Sequence, residues 1–167
     1  MKIGIVVEYN PFHNGHIYQI NETKKKYKDC TIIIVMSSSF TMRGELSLLT
    51  KWQKTEVALQ NGVDLVIELP SVFCQSADTF AYNAISLLNE IGIDALVFGS
   101  ESNDLEKLIN ISKTQLNNGL FDKKVKIYLD KGFNYPTSLS NAIYDISGLK
   151  VDTPNDILAV SYIKSIL

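Results

Sequence analysis

Residues 2–7 (KIGIVV) are apolar and largely β-branched on consecutive positions, as in a strand covered on both faces. Residues 31–36 (TIIIVM) and 64–69 (DLVIEL) repeat the pattern, and 95–98 (ALVF) supply a fourth strand. Helical spacing fills the intervals. After the break at Asn10-Pro11 a helix is expected from Gly15 towards Lys28, and a second spans about 50–61 before Gly62. A third carries Phe80, Ala84, Leu88 and Ile91 as an apolar stripe and ends at Gly92. Strand and helix thus alternate four times with short connections, which predicts an α/β fold with a parallel sheet wrapped by crossover helices. Beyond Asn103 the pattern changes. Residues 105–116 and 122–131 read as helices, although 125–129 also has strand character. Tyr135-Pro136 reads as a turn, 137–146 as a helix, and a last helix opens around Thr153-Pro154-Asn155 and is still running at Leu167.

Composition narrows the class. The chain has 167 residues, 46% apolar and 20% charged, enough for one domain with a real core and too apolar for disorder. Its formal charge of −2 advertises no global field for nucleic acid, although a local patch is compatible with that total. The two cysteines, Cys30 and Cys74, have no metal-ligand spacing and no neighbouring histidine, which points to a reduced, cytoplasmic protein. No window approaches the roughly 20 apolar residues of a membrane span, and the opening run is too short for a signal peptide.

The chemistry concentrates in one place. Both histidines lie in Asn10-Pro11-Phe12-His13-Asn14-Gly15-His16, directly after the first predicted strand and at the opening of a helix. At a spacing of three, the imidazoles share one side of the first turn. Gly15 lets a phosphate approach the backbone, and the free N–H groups of the helix end favour an anion. Imidazoles can donate to phosphate oxygens and stabilise charge that develops during attack on an α-phosphorus. The bland alternative, two histidines that cap a helix or pack in a loop, fits this position less well.

His13-Asn14-Gly15-His16 resembles the H-x-G-H signature of the nucleotidylyltransferase superfamily. The resemblance narrows with VVEYNPFHNGH at 6–16, RGE at 43–45, KW at 51–52, GVDLVIELP at 62–70, LVFGSE at 96–101 and TPNDIL at 153–158, in that order. This combination is similar to the amino-terminal part of the tRNA(Met) cytidine acetate ligases. The resemblance implies a Rossmann-like sheet of the nucleotidylyltransferase type with extra helices in the last third. It also implies ATP, accompanied by magnesium, and acetate as substrates. Acetyl-adenylate forms with release of pyrophosphate, and the acetyl group passes to N4 of the wobble cytidine of elongator tRNA(Met). His13 and His16 would be catalytic. The nucleotide would be held by Val6, Val7, Glu8, Tyr9, Asn10, Pro11, Phe12, His13, Asn14, Gly15, His16, Ile17, Tyr18 and Gln19, with Gly99 and Asn155. No bound transition metal, membrane or DNA partner is expected.

The family reads Asn-Asn where this chain has Asn155-Asp156, so its asparagine falls on one of these two positions. The superfamily's downstream arginine and serine-rich phosphate motif find no match before Leu167. That predicts a nucleotidylyltransferase-like domain over 1–167, cut short relative to the full family, that binds ATP yet modifies tRNA poorly. Arg43, the sole arginine, suits a phosphate, acetate or tRNA phosphate as well as an exposed loop. Lys51 and Trp52 suit a nucleotide contact, but Trp52 is expected rather to anchor its helix in the core; Lys24, Lys25, Lys26 and Lys28 are expected to form a solvated helix face, with a tRNA backbone contact as the alternative. Glu8 is placed to line the nucleotide pocket, Glu68 to face either the site or water, and Asp64 and Asp94 to be turn residues without chemistry. Two other functions remain open. One is an adenylyltransferase for a small phosphorylated coenzyme precursor; the other is a non-catalytic nucleotide- or RNA-binding module.

Overall fold

The computed structural model describes residues 1–116 and 118–167 and resolves into two compact units, Met1–Phe98 and Gly99–Leu167. In the first unit, β1 (Lys2–Val7), α1 (Asn14–Lys26), β2 (Thr31–Ser37), α2 (Lys51–Gln60), β3 (Leu65–Leu69), α3 (Ala77–Ile91) and β4 (Ala95–Leu96) follow one another. The four strands are all parallel, in the order β3-β2-β1-β4. The α/β expectation therefore holds. The chain first builds outwards from β1 through β2 to β3 and then returns to add β4 on the other side. A switch point lies between β1 and β4, where open α/β sheets bind ligands beyond their carboxyl ends.

The consecutive apolar residues of β1 and β2 divide by parity between the two faces. Ile5, Val7, Ile32, Ile34 and Met36 join Ile20 of α1 and Ala58 of α2 in one buried cluster. On the other face α3 packs so close that a Cβ on Gly4 would lie 2.6 Å from Ile93 Cδ1 and 3.0 Å from Leu88 Cδ1. A side chain at position 4 would first have to displace the ends of the Ile93 and Leu88 side chains. Gly92, left-handed at φ 72°, ends α3 where its pattern predicts.

Gly62-Val63-Asp64 and Gly92-Ile93-Asp94 do the same job twice. Asp64 N–H donates to Ile32 O at 3.0 Å while its Oδ2 accepts Ile32 N–H at 2.7 Å. Asp94 N–H donates to Lys2 O at 2.8 Å, and its Oδ2 accepts Lys2 N–H at 2.7 Å. Each aspartate is therefore a clamp on the start of the adjacent strand, more than a turn residue. The fourth strand is shorter than expected. Only Ala95 and Leu96 pair in register with β1, followed by a single bond from Val97 N–H to Gly4 O at 2.9 Å.

The second unit consists of α4 (Leu105–Leu116), α5 (Asn118–Asp130), α6 (Tyr135–Ser147) and α7 (Pro154–Ile166). Its core includes Leu108, Ile111, Phe121, Val125, Ala142, Ile143, Ala159, Val160 and Ile163. Here the helix expected over 122–131 holds against its strand alternative, and one local expectation is corrected. Residues 125–129 are helical, because Phe121 and Val125 recur four residues apart and bury one helix face. Tyr135 and Pro136 form the first turn of α6 instead of a turn before it. Asn134 caps that helix by accepting Thr137 N–H at 2.9 Å, and proline in a first turn forfeits no intrahelical bond.

Candidate active site at the first strand-to-helix turn

Val6 and Val7 close β1, residues 8–12 form the connection, and His13 is the N-cap of α1. Asn14, Gly15, His16, Ile17, Tyr18 and Gln19 make up the first turns of the helix. Tyr9 takes a left-handed φ of 48°, unusual for a bulky residue, and the Asn10-Pro11 peptide is cis. Holding Tyr9 in this conformation costs on the order of 1–3 kcal/mol. Its ring is 1% exposed within the core, and its hydroxyl lacks a partner among the described residues, so burial pushes its pKa up to about 12.

The two histidines form a reciprocal cap. Gly15 N–H donates to His13 Nδ1 at 3.1 Å, and His13 N–H donates to His16 Nδ1 at 3.2 Å. The rings stack with centroids 3.8 Å apart and planes at 23°. Because each Nδ1 accepts a backbone hydrogen, neither carries a proton, and the ring hydrogen lies on Nε2. His16 rests on Tyr9 and Phe12, with ring centroids at 4.6 and 5.5 Å. That burial first, and the neighbouring His13 second, pull its pKa down to about 4. At neutral pH His16 is therefore an uncharged Nε2–H donor.

Gly15 matters for a reason beyond phosphate access. A Cβ there would meet His13 Cε1 at 2.9 Å and Nδ1 at 3.0 Å. The glycine makes room for the imidazole that caps it.

The connection is tied down from a neighbouring hairpin. Thr41–Gly44 close a turn by Gly44 N–H to Thr41 O, with Gly44 left-handed at φ 76° and Phe40 bridged antiparallel to Leu46. Glu8 Oε1 accepts Met42 N–H, and Asn10 Oδ1 accepts Leu48 N–H at 2.8 Å and Ser47 Oγ–H at 3.3 Å. Glu8 thus spends at least one carboxylate oxygen on holding the hairpin. Beneath it lies Lys54, 1% exposed, whose Nζ donates to Glu8 O at 3.0 Å and Ser37 O at 2.7 Å. Burial lowers its pKa against the upward pull of Glu8. This lysine, which links the carboxyl ends of β1 and β2, was not anticipated. The available signal was its place four residues before buried Ala58 on the inner stripe of α2.

Trp52 is not in the core. It is 73% exposed, at the second position of α2 and on the side opposite Lys54 and Ala58. Lys51 Nζ sits 5.2 Å from its ring centroid and pairs with Glu68 Oε2 at 2.7 Å, which lowers the Glu68 pKa. Arg43 is exposed, as are Lys25, Lys26 and Lys28, whereas Lys24 is half-buried.

Gly99 and Asn155 belong to the second unit. There Glu101 accepts Asn155 N–H at 3.2 Å, Asn155 Nδ2–H at 2.9 Å and Asp156 N–H at 3.0 Å, which caps α7. Asp156 is 3% exposed and accepts Ser100 Oγ–H at 2.5 Å and Ser102 N–H at 3.3 Å, while Asn155 is exposed. Gly99 is exposed, with nothing within 4 Å of a Cβ built on it. Among the described residues no group of three or more His, Cys, Asp or Glu could hold a metal ion, and no helix is long and apolar enough to cross a membrane.

Known proteins align with this arrangement over its whole length. Residues 1–167 match the family model described as HIGH Nucleotidyl Transferase. The chain is 45% identical to the tRNA(Met) cytidine acetate ligase of Caldicellulosiruptor saccharolyticus, over 98% of this chain and 42% of that one. It is 43% identical to the protein of the same name in Mesomycoplasma hyopneumoniae, over 100% of this chain and 53% of that one. The crystal structure of Thermotoga maritima TmcAL bound with alpha-thio ATP superposes with a TM-score of 0.89 at 38% identity, covering 98% of this chain and 43% of that one. The apo form of the same protein gives 0.91. The chain spans about half, or less, of the length of these relatives.

Proposed function

The chain belongs to the HIGH nucleotidyl transferase family, and from that premise we propose that it activates acetate with ATP for acetylation of the wobble cytidine of elongator tRNA(Met). One observation carries the reading. Both Nδ1 atoms are committed to backbone donors, so both Nε2–H groups are free to meet a phosphate at the amino end of α1. An acetate oxygen would attack the α-phosphorus and pyrophosphate would leave. The negative charge that builds on the phosphoryl oxygens is what two fixed imidazole donors would stabilise. In the second step the N4 amine of cytidine attacks the acetyl carbonyl, AMP departs, and the amine loses a proton to solvent.

ATP is supported by the similar Thermotoga maritima TmcAL, whose crystal structure is bound with alpha-thio ATP. The nucleotide would lie against residues 6–19 of the first unit; in the second unit, taken by itself, the positions that the resemblance implies are Gly99 and Asn155. Of the two adjacent candidates we assign Asn155, because it is exposed while Asp156 is buried and occupied by Ser100 and Ser102. Magnesium would arrive with the phosphates and be held largely by them and by water. We place the protein in the cytoplasm, where ATP and tRNA are present.

The test is acetate-dependent exchange of pyrophosphate into ATP, followed by acetylcytidine formation on transcribed elongator tRNA(Met). Exchange that requires acetate supports the reading. Exchange driven by a phosphorylated coenzyme precursor and not by acetate replaces it with the small-molecule adenylyltransferase.

A further inference from the structure

The only arginine and the only tryptophan of the chain, Arg43 and Trp52, both lie exposed within a stretch of ten residues. The same stretch presents Leu46 and Leu48 at 70% and 72% exposure, beside Trp52 at 73%. Phe40, the bridge partner of Leu46, is 44% exposed on the same hairpin. Isolated exposed apolar side chains are ordinary, whereas four large ones between Phe40 and Trp52, two of them on bridged residues, single out this segment as an interaction surface. Tryptophan and arginine are also the residue types that dominate binding energy when a partner covers them.

This surface is fastened to the histidine loop. Glu8 and Asn10, the residues that lead from β1 to the cap, hold the hairpin backbone at Met42 and Leu48. Whatever docks on the hairpin is thereby registered against His13 and His16. Side-chain chemistry, and not net charge, indicates the partner class, because Arg43 and Lys51 are matched in number by Glu45 and Glu68. Lys51 neutralises Glu68 and keeps its ammonium beside the indole, and Arg43 adds a fork suited to phosphate. Glu45 is the one carboxylate within the hairpin turn. Unpaired nucleotides are recognised by this combination, with a base stacked on an aromatic face and the backbone met by a cation.

We propose that the hairpin around Arg43, together with Lys51 and Trp52, is the docking surface for the single-stranded loop of the RNA acceptor. The proposal rests on the functional reading above only in taking RNA as the acceptor.

Trp52 supplies its own probe. Indole emission of the 167-residue chain is followed while a short single-stranded oligocytidylate RNA is added. Saturable quenching that weakens as salt rises is expected. Arg43→Ala should weaken the binding, and Trp52→Leu, followed with a labelled RNA, should lose on the order of tenfold or more. Tyr144→Ala, an exposed aromatic of the second unit, should bind like the parent. Absence of quenching, quenching indifferent to Arg43→Ala, or loss of binding in Tyr144→Ala each overturns the proposal. So does a shift of emission on concentrating the protein alone, which would mean that a second copy covers the surface. Acetate-dependent exchange is run in parallel. Exchange without RNA quenching sinks the surface and leaves the functional reading standing, and quenching without exchange does the reverse.

Discussion

His13 donates its backbone N–H to the Nδ1 of His16 at 3.2 Å, and the two rings then stack at 3.8 Å. One nitrogen of each ring is used to build the helix end, so the other points away from it. Cap and proposed chemistry thus draw on the same side chain, and two substitutions separate them. His16→Asn keeps an oxygen able to accept the His13 N–H but loses the Nε2 donor. Its thermal stability should stay close to parental while acetate-dependent ATP–pyrophosphate exchange falls on the order of 10²–10³-fold. His16→Gln extends an amide towards the Nε2 position and should recover part of the rate at lower stability. If His16→Asn exchanges at the parental rate, the pair is only a cap.

Gly15→Ala adds a Cβ 2.9 Å from the His13 ring. The imidazole must swing out of the cap, so the variant should behave as if His13 itself were missing. Combined with His13→Ala, it should therefore add almost nothing further to the loss of exchange, in contrast to independent sites whose effects sum. Full additivity in that double-mutant cycle would show that the glycine acts directly on the phosphate.

The depressed pKa of His16 also sets a pH dependence of stability. The folded value of about 4 lies below the ordinary 6.5, so between these limits the unfolded chain takes up a proton that the folded chain refuses. The contribution is complete above about pH 6.5 and is lost as the pH falls towards 4. With partial solvent access allowed for, it amounts to about 1–3 kcal/mol. Denaturant midpoints of the parent and of His16→Asn, close together at neutral pH, should separate as the pH falls through that window, with the parent dropping below the variant. Parallel curves would mean that His16 titrates normally. Glu101, Asp145 and Asp156, whose pKa values are also lowered, affect both proteins alike.

Lys54→Met preserves much of the volume and removes the donor to two carbonyls, Glu8 O and Ser37 O. Leaving these groups unsatisfied should cost about 1–3 kcal/mol, reduced by the desolvation that the ammonium no longer suffers. The larger effect is expected on function. Glu8 leads directly into the strained Tyr9, so loosening it should raise the apparent KM for ATP in the exchange assay. A variant that is destabilised but has an unchanged KM would restrict the lysine to a structural role.

Much of the first unit was legible because its signals are local. The consecutive β-branched residues of β1 and β2, the glycine stops at Gly62 and Gly92, and the paired histidines after a Pro-broken strand each act over a few residues. Periodicity and backbone sterics suffice to interpret them, and their order implies the parallel sheet. Asn134 before Pro136 was equally local, but proline was read as a breaker when its place in a first turn made it neutral. Other features depend on what lies across space. Nothing in KWQK says that Lys54 goes inward and Trp52 outward; the sheet that α2 packs on decides it. The clamps of Asp64 and Asp94 join residues 32 and 92 positions apart, and the ties of Glu8 and Asn10 to the hairpin span 34 and 38. The sequence by itself determined the order of strands and helices in the first unit and the place of the histidine pair, while it ranked the cap that this pair forms below a phosphate site. Only the tertiary structure decided which nitrogen of each ring is free, because that depends on the backbone donors a particular turn brings within 3.1 and 3.2 Å.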